Sequence, residues 1–214
     1  MSQTPRGMSE VLSAERLKMF VDAVVAIAMT LLILPLMDSV GEAATHDLST
    51  GDWIVEERQS LFAFTLSFVL IANFWLSHHR LFRRIEHATG ALVWLTFAWM
   101  FTIVWLPVAT AVLSSLATDD LQALVYIGSL SVTSLLTLAT VIYVIRHPEL
   151  HEIDPQRLRE TLAADIAVLT LFLVALALTL AVPVLSYWTM FLLLLSPFLG
   201  RLVARILRGR SGLS

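Results

Sequence analysis

The chain of 214 residues contains no cysteine. That absence excludes a disulfide framework, a thiolate metal site and a thiol nucleophile. Charge is also scarce: Asp, Glu, Lys and Arg make up 14% of the residues, against 57% hydrophobic ones. A soluble domain of this size could not cover so much apolar surface. The polar residues gather in short patches between long apolar runs, which is the pattern of a multi-pass membrane protein. No glycine-rich phosphate loop, nucleophile–base arrangement or basic nucleic-acid patch is present, so the sequence is read as that of a non-enzyme with no nucleic-acid partner. The formal net charge of −3 hides the segregation of charge and says little about partners.

Six apolar runs are present, at about 14–37, 54–78, 91–117, 121–145, 161–185 and 187–207. Each reaches the roughly 20 residues a helix needs to cross the hydrocarbon core. The runs are continuous, not alternating, so helices are expected and barrel strands are not. The first run is longer than a typical signal-peptide core and is read as a retained span. The expected organisation is a cytoplasmic segment over 1–13, a six-helix transmembrane domain over 14–207 and a cytoplasmic tail over 208–214. Within the 38–53 loop a short helical turn is expected near Thr50–Trp53, and Asp154-Pro155 reads as a helix start. Of the 14 basic residues, all but Arg58 fall on one side of these spans. The positive-inside rule then puts both termini in the cytoplasm of a multi-pass cell-membrane protein, in agreement with an even span count.

Several residues are candidates for function. Asp22 lies about one turn inside the first span, where a carboxylate is costly unless a partner satisfies it. Arg16 is six residues earlier, a rotation of roughly 600°, so the two do not share a face. Partners for Asp22 are expected at the end of the second span, among Trp75, His78 and His79, at the same membrane depth. Ile27, Leu31 and Leu34 recur on one face of the first helix, bordered by Ala23 and Thr30. Around a shared axis that stripe would make stacked apolar rings; in a single chain it is equally the pattern of ordinary packing. Adjacent His78 and His79 point about 100° apart and make a poor metal pair, so no metal is expected. Asp165 is read as a snorkelling or dipole-paired residue near the start of span five. Pro35, Pro107, Pro183 and Pro197, within or at the ends of spans, are candidate kinks. Trp53, Trp94, Trp99, Trp105, Tyr187 and Trp188 are read in part as interfacial anchors.

Two stretches carry a resemblance. Arg16-x3-Phe20-Val21-Asp22, followed by Ala26-Ile27-x2-Thr30-Leu31-Leu32-Ile33-Leu34, resembles the RxxxFSD first helix of the transmembrane protein 175 potassium-channel family. Trp75-Leu76-Ser77-His78-His79-Arg80-Leu81-Phe82 resembles that family's second-helix ending, and Trp94-Leu95 and Leu106-Pro107 also fit. The resemblance implies an all-α membrane fold of six helices per subunit, assembled as a homotetramer with the first helix lining the pore. It implies Ile27 as the main constriction, with Leu31 and Leu34 next and Ala23 and Thr30 beside them. It places Arg16, Phe20 and Asp22 in a buried network with Trp75 and His78 or His79. Val21 stands where the motif has serine, which removes a hydroxyl from that network.

The expected function is therefore a potassium-preferring cation channel conducting by diffusion. Its expected partners are copies of itself, membrane lipids and monovalent cations, with K+ as permeant ion and no cofactor. The alternative is a proton-coupled secondary transporter using Asp22, His78 and Asp165.

Overall fold

The computed structural model describes residues 14–85, 88–116 and 119–181, together with 198–199 and 202–203. Among these, seven α-helices follow in order: α1 (Ala14–Leu31), α2 (Leu34–Thr45), α3 (Thr50–Glu56), α4 (Arg58–Phe82), α5 (Gly90–Ser115), α6 (Asp120–Arg146) and α7 (Pro155–Ala181). A short 3-10 turn, Pro148–Leu150, lies between α6 and α7. Five stretches are long and apolar enough to cross a membrane: α1 with α2, then α4, α5, α6 and α7. The expected span 187–207 lies outside the described residues except at four positions.

The first span is not one unbroken helix. Leu32 and Ile33 form a turn, and the Ile33 N–H donates to the Thr30 carbonyl at 3.3 Å. Pro35 is the cause, because it has no N–H for the Leu31 carbonyl and its ring crowds that oxygen. The helix then resumes to Thr45, so residues 38–45, expected as loop, are helical. Their polar side chains end the apolar run without ending the helix.

The other boundaries move for similar reasons. Residues 54–56 belong to α3, whose start is capped by Ser49 accepting from the Asp52 N–H at 3.2 Å. The second long helix is thereby shifted to Arg58–Phe82. Helix α7 starts at Pro155, with Asp154 accepting from the Gln156 N–H at 2.9 Å, six residues before its apolar run. Thr89 caps α5, and Asp119 caps α6. Gln122 holds the hairpin between those two helices together: its amide donates toward the carbonyls of Val112, Leu113 and Leu116 at the end of α5.

One apolar core joins Val21, Val25 and Ala28 of α1, and Leu32 in the turn after it, to Leu70 and Phe74 of α4, Trp99 and Ile103 of α5, and Phe172 of α7. A second cluster lies at the arginine-rich end and includes Leu17, Phe82, Ile85, Leu92, Val144 and Leu158. Several hydroxyl groups inside the bundle find partners within it, as a water-free environment demands. Thr133, Thr137 and Thr140 return their hydroxyls to carbonyls four residues earlier. Ser67 is bonded to Tyr126 at 2.9 Å and receives the Thr110 hydroxyl at 2.8 Å, tying α4, α5 and α6.

Candidate functional site

Helix α1 has two apolar faces with opposite fates. Val21, Val25, Ala28 and Leu32 are at most 2% exposed, packed against α4 and α5. Ile27 is 60% exposed, Leu31 38% and Leu34 51%, and Ala23 and Thr30 lie on the same uncovered side. The Thr30 hydroxyl turns back to donate to the Ile27 carbonyl at 2.7 Å, so its hydrogen is already engaged. The break at Leu32–Ile33 does not interrupt the bare stripe, since Leu34 beyond it is still exposed.

At the other end of α1, the Trp75 indole Nε1–H donates to Asp22 Oδ1 at 2.7 Å. The Nδ1 of His79 is 3.8 Å from the same oxygen, and its ring lies 5.3 Å from that of Trp75. The depth match between Asp22 and the end of α4 thus brings Asp22, Trp75 and His79 together. A carboxylate accepting from an indole is a charge-assisted bond, which fixes the rotation of α1 against α4.

His78 goes elsewhere. One residue along the helix turns it about 100° away, into the core. Its ring stacks between Phe82, at 4.0 Å, and Trp99, at 4.4 Å, and its Nε2 has no hydrogen-bond partner. Trp99 is 1% exposed and donates to the Thr137 hydroxyl, so it is a core residue and not an interfacial anchor. Trp94, by contrast, is 76% exposed. Asp165 does not snorkel: its Oδ2 is buried without a partner. Nor does it cap the dipole of α7, which begins ten residues earlier. No hydrogen bond or ion pair joins Asp22, His78 and Asp165 to one another, and His78 is walled off by its two aromatic neighbours.

Phe20 is half exposed and meets Phe97 of α5, with ring centroids 6.1 Å apart. Arg16 is exposed. Val21 is buried in the apolar core, where a serine would place a hydroxyl among aliphatic and aromatic neighbours. Sequence reasoning missed Lys18, whose Nζ donates to the Ile85 carbonyl at 3.1 Å. Its position one turn before Asp22 on an otherwise apolar helix was the available signal. Among the described residues no three His, Cys, Asp or Glu side chains converge as a metal site requires.

These features define a class: a multi-helix membrane protein whose first helix is anchored along one face and bare along the other. The family model TMEM175, described as endosomal/lysosomal potassium channel TMEM175, matches residues 16–107. The chain resembles that family of ion channels, which is not an enzyme family, over the stretch holding α1 to α4 and most of α5. An endosomal/lysosomal proton channel TMEM175 of Danio rerio is 26% identical over 152 residues, 69% of this chain and 28% of that protein. A potassium channel of Streptomyces collinus is 31% identical over 107 residues, 49% of this chain and 50% of its own. Another, from a Chryseobacterium species, is 27% identical over 95 residues, 44% of this chain and 46% of its own. The chain spans about a quarter to a half of the length of the curated relatives it matches. Its fold is that of a crystal structure of a lysosomal potassium-selective channel TMEM175 homologue from Chamaesiphon minutus, with a TM-score of 0.65 at 21% identity, covering 92% of this chain and 97% of that one.

Proposed function

We propose that the chain is one subunit of a homotetrameric, potassium-preferring cation channel that conducts by passive diffusion. The observation that carries this reading is the bare apolar stripe Ile27–Leu31–Leu34 on a helix otherwise locked into the subunit. Four such stripes around an axis make stacked rings too apolar to replace a cation's water. An ion that sheds water easily passes such rings at lower cost, which favours potassium over sodium without an oxygen cage. Selectivity of this origin is modest. Ile27, the main constriction by its resemblance to the family's first helix, is also the most exposed of the three, and Ala23 and Thr30 flank the path. Asp22, Trp75 and His79 hold the rings in place by fixing the rotation of α1.

The subunit spans the cell membrane with six helices, and both termini lie in the cytoplasm, where the positive-inside rule places the arginine-rich connectors. Arg80, Arg83 and Arg84 are exposed there and suit anionic lipid headgroups.

The test is ion flux from vesicles containing the purified protein. Potassium should flow without a pH gradient, and Ile27→Asn should lower the potassium-over-sodium ratio. Flux that requires a proton gradient would favour the transporter with Asp22, His78 and Asp165. That reading draws on the unpartnered buried atoms of His78 and Asp165 and on the proton channel named among the relatives.

A further inference from the structure

His151 lies in the connector between α6 and α7, and both of its ring nitrogens are engaged. The Ile153 N–H donates to Nδ1 at 3.0 Å, and Nε2 lies 3.1 Å from the Val144 carbonyl. A nitrogen that accepts carries no proton, so the partners assign the ring's single hydrogen to Nε2, which donates to Val144. The backbone of His151 also forms an isolated antiparallel bridge with Ile85. Ile85 is 1% exposed and shares an apolar cluster with Leu17 of α1. Its carbonyl accepts from Lys18 Nζ. A continuous set of contacts therefore runs from His151 through Ile85 to the base of α1, one turn before Asp22.

We propose that His151 is a proton-released latch on the base of α1. Protonation at Nδ1 turns that acceptor into a donor facing the Ile153 N–H, so the bond is lost while the Nε2–H to Val144 survives. The 151–153 turn opens, and the bridge that seats Ile85 under Leu17 and Lys18 loosens. The consequence for conduction rests on α1 being the pore helix; the latch does not.

The neighbouring His147 provides the contrast. Its Nδ1 is 2.9 Å from the Tyr143 carbonyl, which can only accept, so Nδ1 already carries a hydrogen and protonation at Nε2 keeps the bond. Its ring also stacks on Tyr143 at 4.1 Å, whose hydroxyl pairs with Thr89. The other charged groups on the elements around His151 are Glu149, Glu152 and Asp154 on its own connector, Arg146 on α6, and Arg83 and Arg84 beside Ile85. The others are Glu15, Arg16, Lys18 and Asp22 on α1, Asp120 at the far end of α6, and Arg157, Arg159, Glu160 and Asp165 on α7. Glu86 and His87 lie outside the described residues.

The test is amide hydrogen exchange on the full chain in lipid nanodiscs at about pH 8 and about pH 5.5, corrected for intrinsic exchange. Protection over 151–154 should fall roughly three- to tenfold on acidification, the worth of one lost hydrogen bond, with a smaller fall over 15–22. His151→Asn keeps an acceptor for the N–H two residues on but cannot take up a proton, so its protection should not change with pH. His147→Gln and His87→Gln should respond as the parent does. Unchanged parent protection, or a His151→Asn protein that still responds, overturns the latch. This readout needs no conduction: vesicles without flux but with the exchange response would reject the channel and keep the latch, and normal flux with flat exchange would do the reverse.

Discussion

The two faces of α1 are almost equally apolar, yet they do different things. Leu17, Val21, Val25, Ala28 and Leu32 disappear into the subunit, while Ile27, Leu31 and Leu34 are left uncovered by it. In a membrane, apolar character does not separate core from surroundings, because lipid tails are as apolar as leucine. What separates the faces is the polar anchor. The bond from Trp75 to Asp22 and that from Lys18 to Ile85 set the rotation of the helix, and the rotation decides which aliphatic side chains are buried.

The largest effect should come from charge on the buried face. Val25→Asp places a carboxylate in the core at a cost of about 3 kcal/mol for a central membrane position, with lost packing in addition. Little folded protein should appear in size-exclusion chromatography. A normal yield would show that this face is not packed. Next comes the anchor. Asp22→Ala and Trp75→Phe each remove the same charge-assisted bond, worth about 1.5–3 kcal/mol. Both should lower the thermal midpoint of the purified protein, and the double variant should lose little more than either single one. Additive losses would mean the two side chains do not act together.

A substitution on the bare face should behave in the opposite way. Ile27→Asn should change stability by less than about 1 kcal/mol, the scale of substitutions away from packed positions. The same variant should reduce the potassium-over-sodium flux ratio several-fold. A protein that unfolds instead would place Ile27 in a packed core. The smallest effect is expected at the break. Pro35→Ala restores an N–H for the Leu31 carbonyl, so amides over 32–35 should gain protection from exchange while global stability moves by less than about 1 kcal/mol.

Much of the helical layout was legible because apolar run length maps directly onto helices in a membrane protein. The runs at 91–117 and 121–145 lie within two residues of α5 and α6. Run length failed where a helix continues with polar side chains, as in Asp38–Thr45 of α2; where α7 begins before its apolar part, the Asp154-Pro155 start signal located the boundary that run length missed. The break at Leu32–Ile33 had a visible cause in Pro35, but a proline alone does not say whether a helix bends or stops.

At the site, Asp22 and Trp75 were legible as partners from charge and depth. The choice between His78 and His79 was not, because it depends on a 100° rotation that only the packing of α4 supplies. Asp165 was misread for a related reason. Its position near the apolar boundary suggested the interface, whereas its buried oxygen shows the face of α7 that carries it turned inward. Lys18 and His151 act through backbone carbonyl and amide groups, which leave no side-chain pattern in a sequence.

The absence of cysteine makes the most direct test simple, since Ile27→Cys introduces the sole thiol. Silver ion, which binds thiolates and is similar in size to potassium, should then block potassium flux through vesicles containing this variant and leave the cysteine-free parent unaffected. Flux that continues unchanged after the Cys side chain has been fully modified would contradict the claim that the bare face of α1 lines the path of the ion.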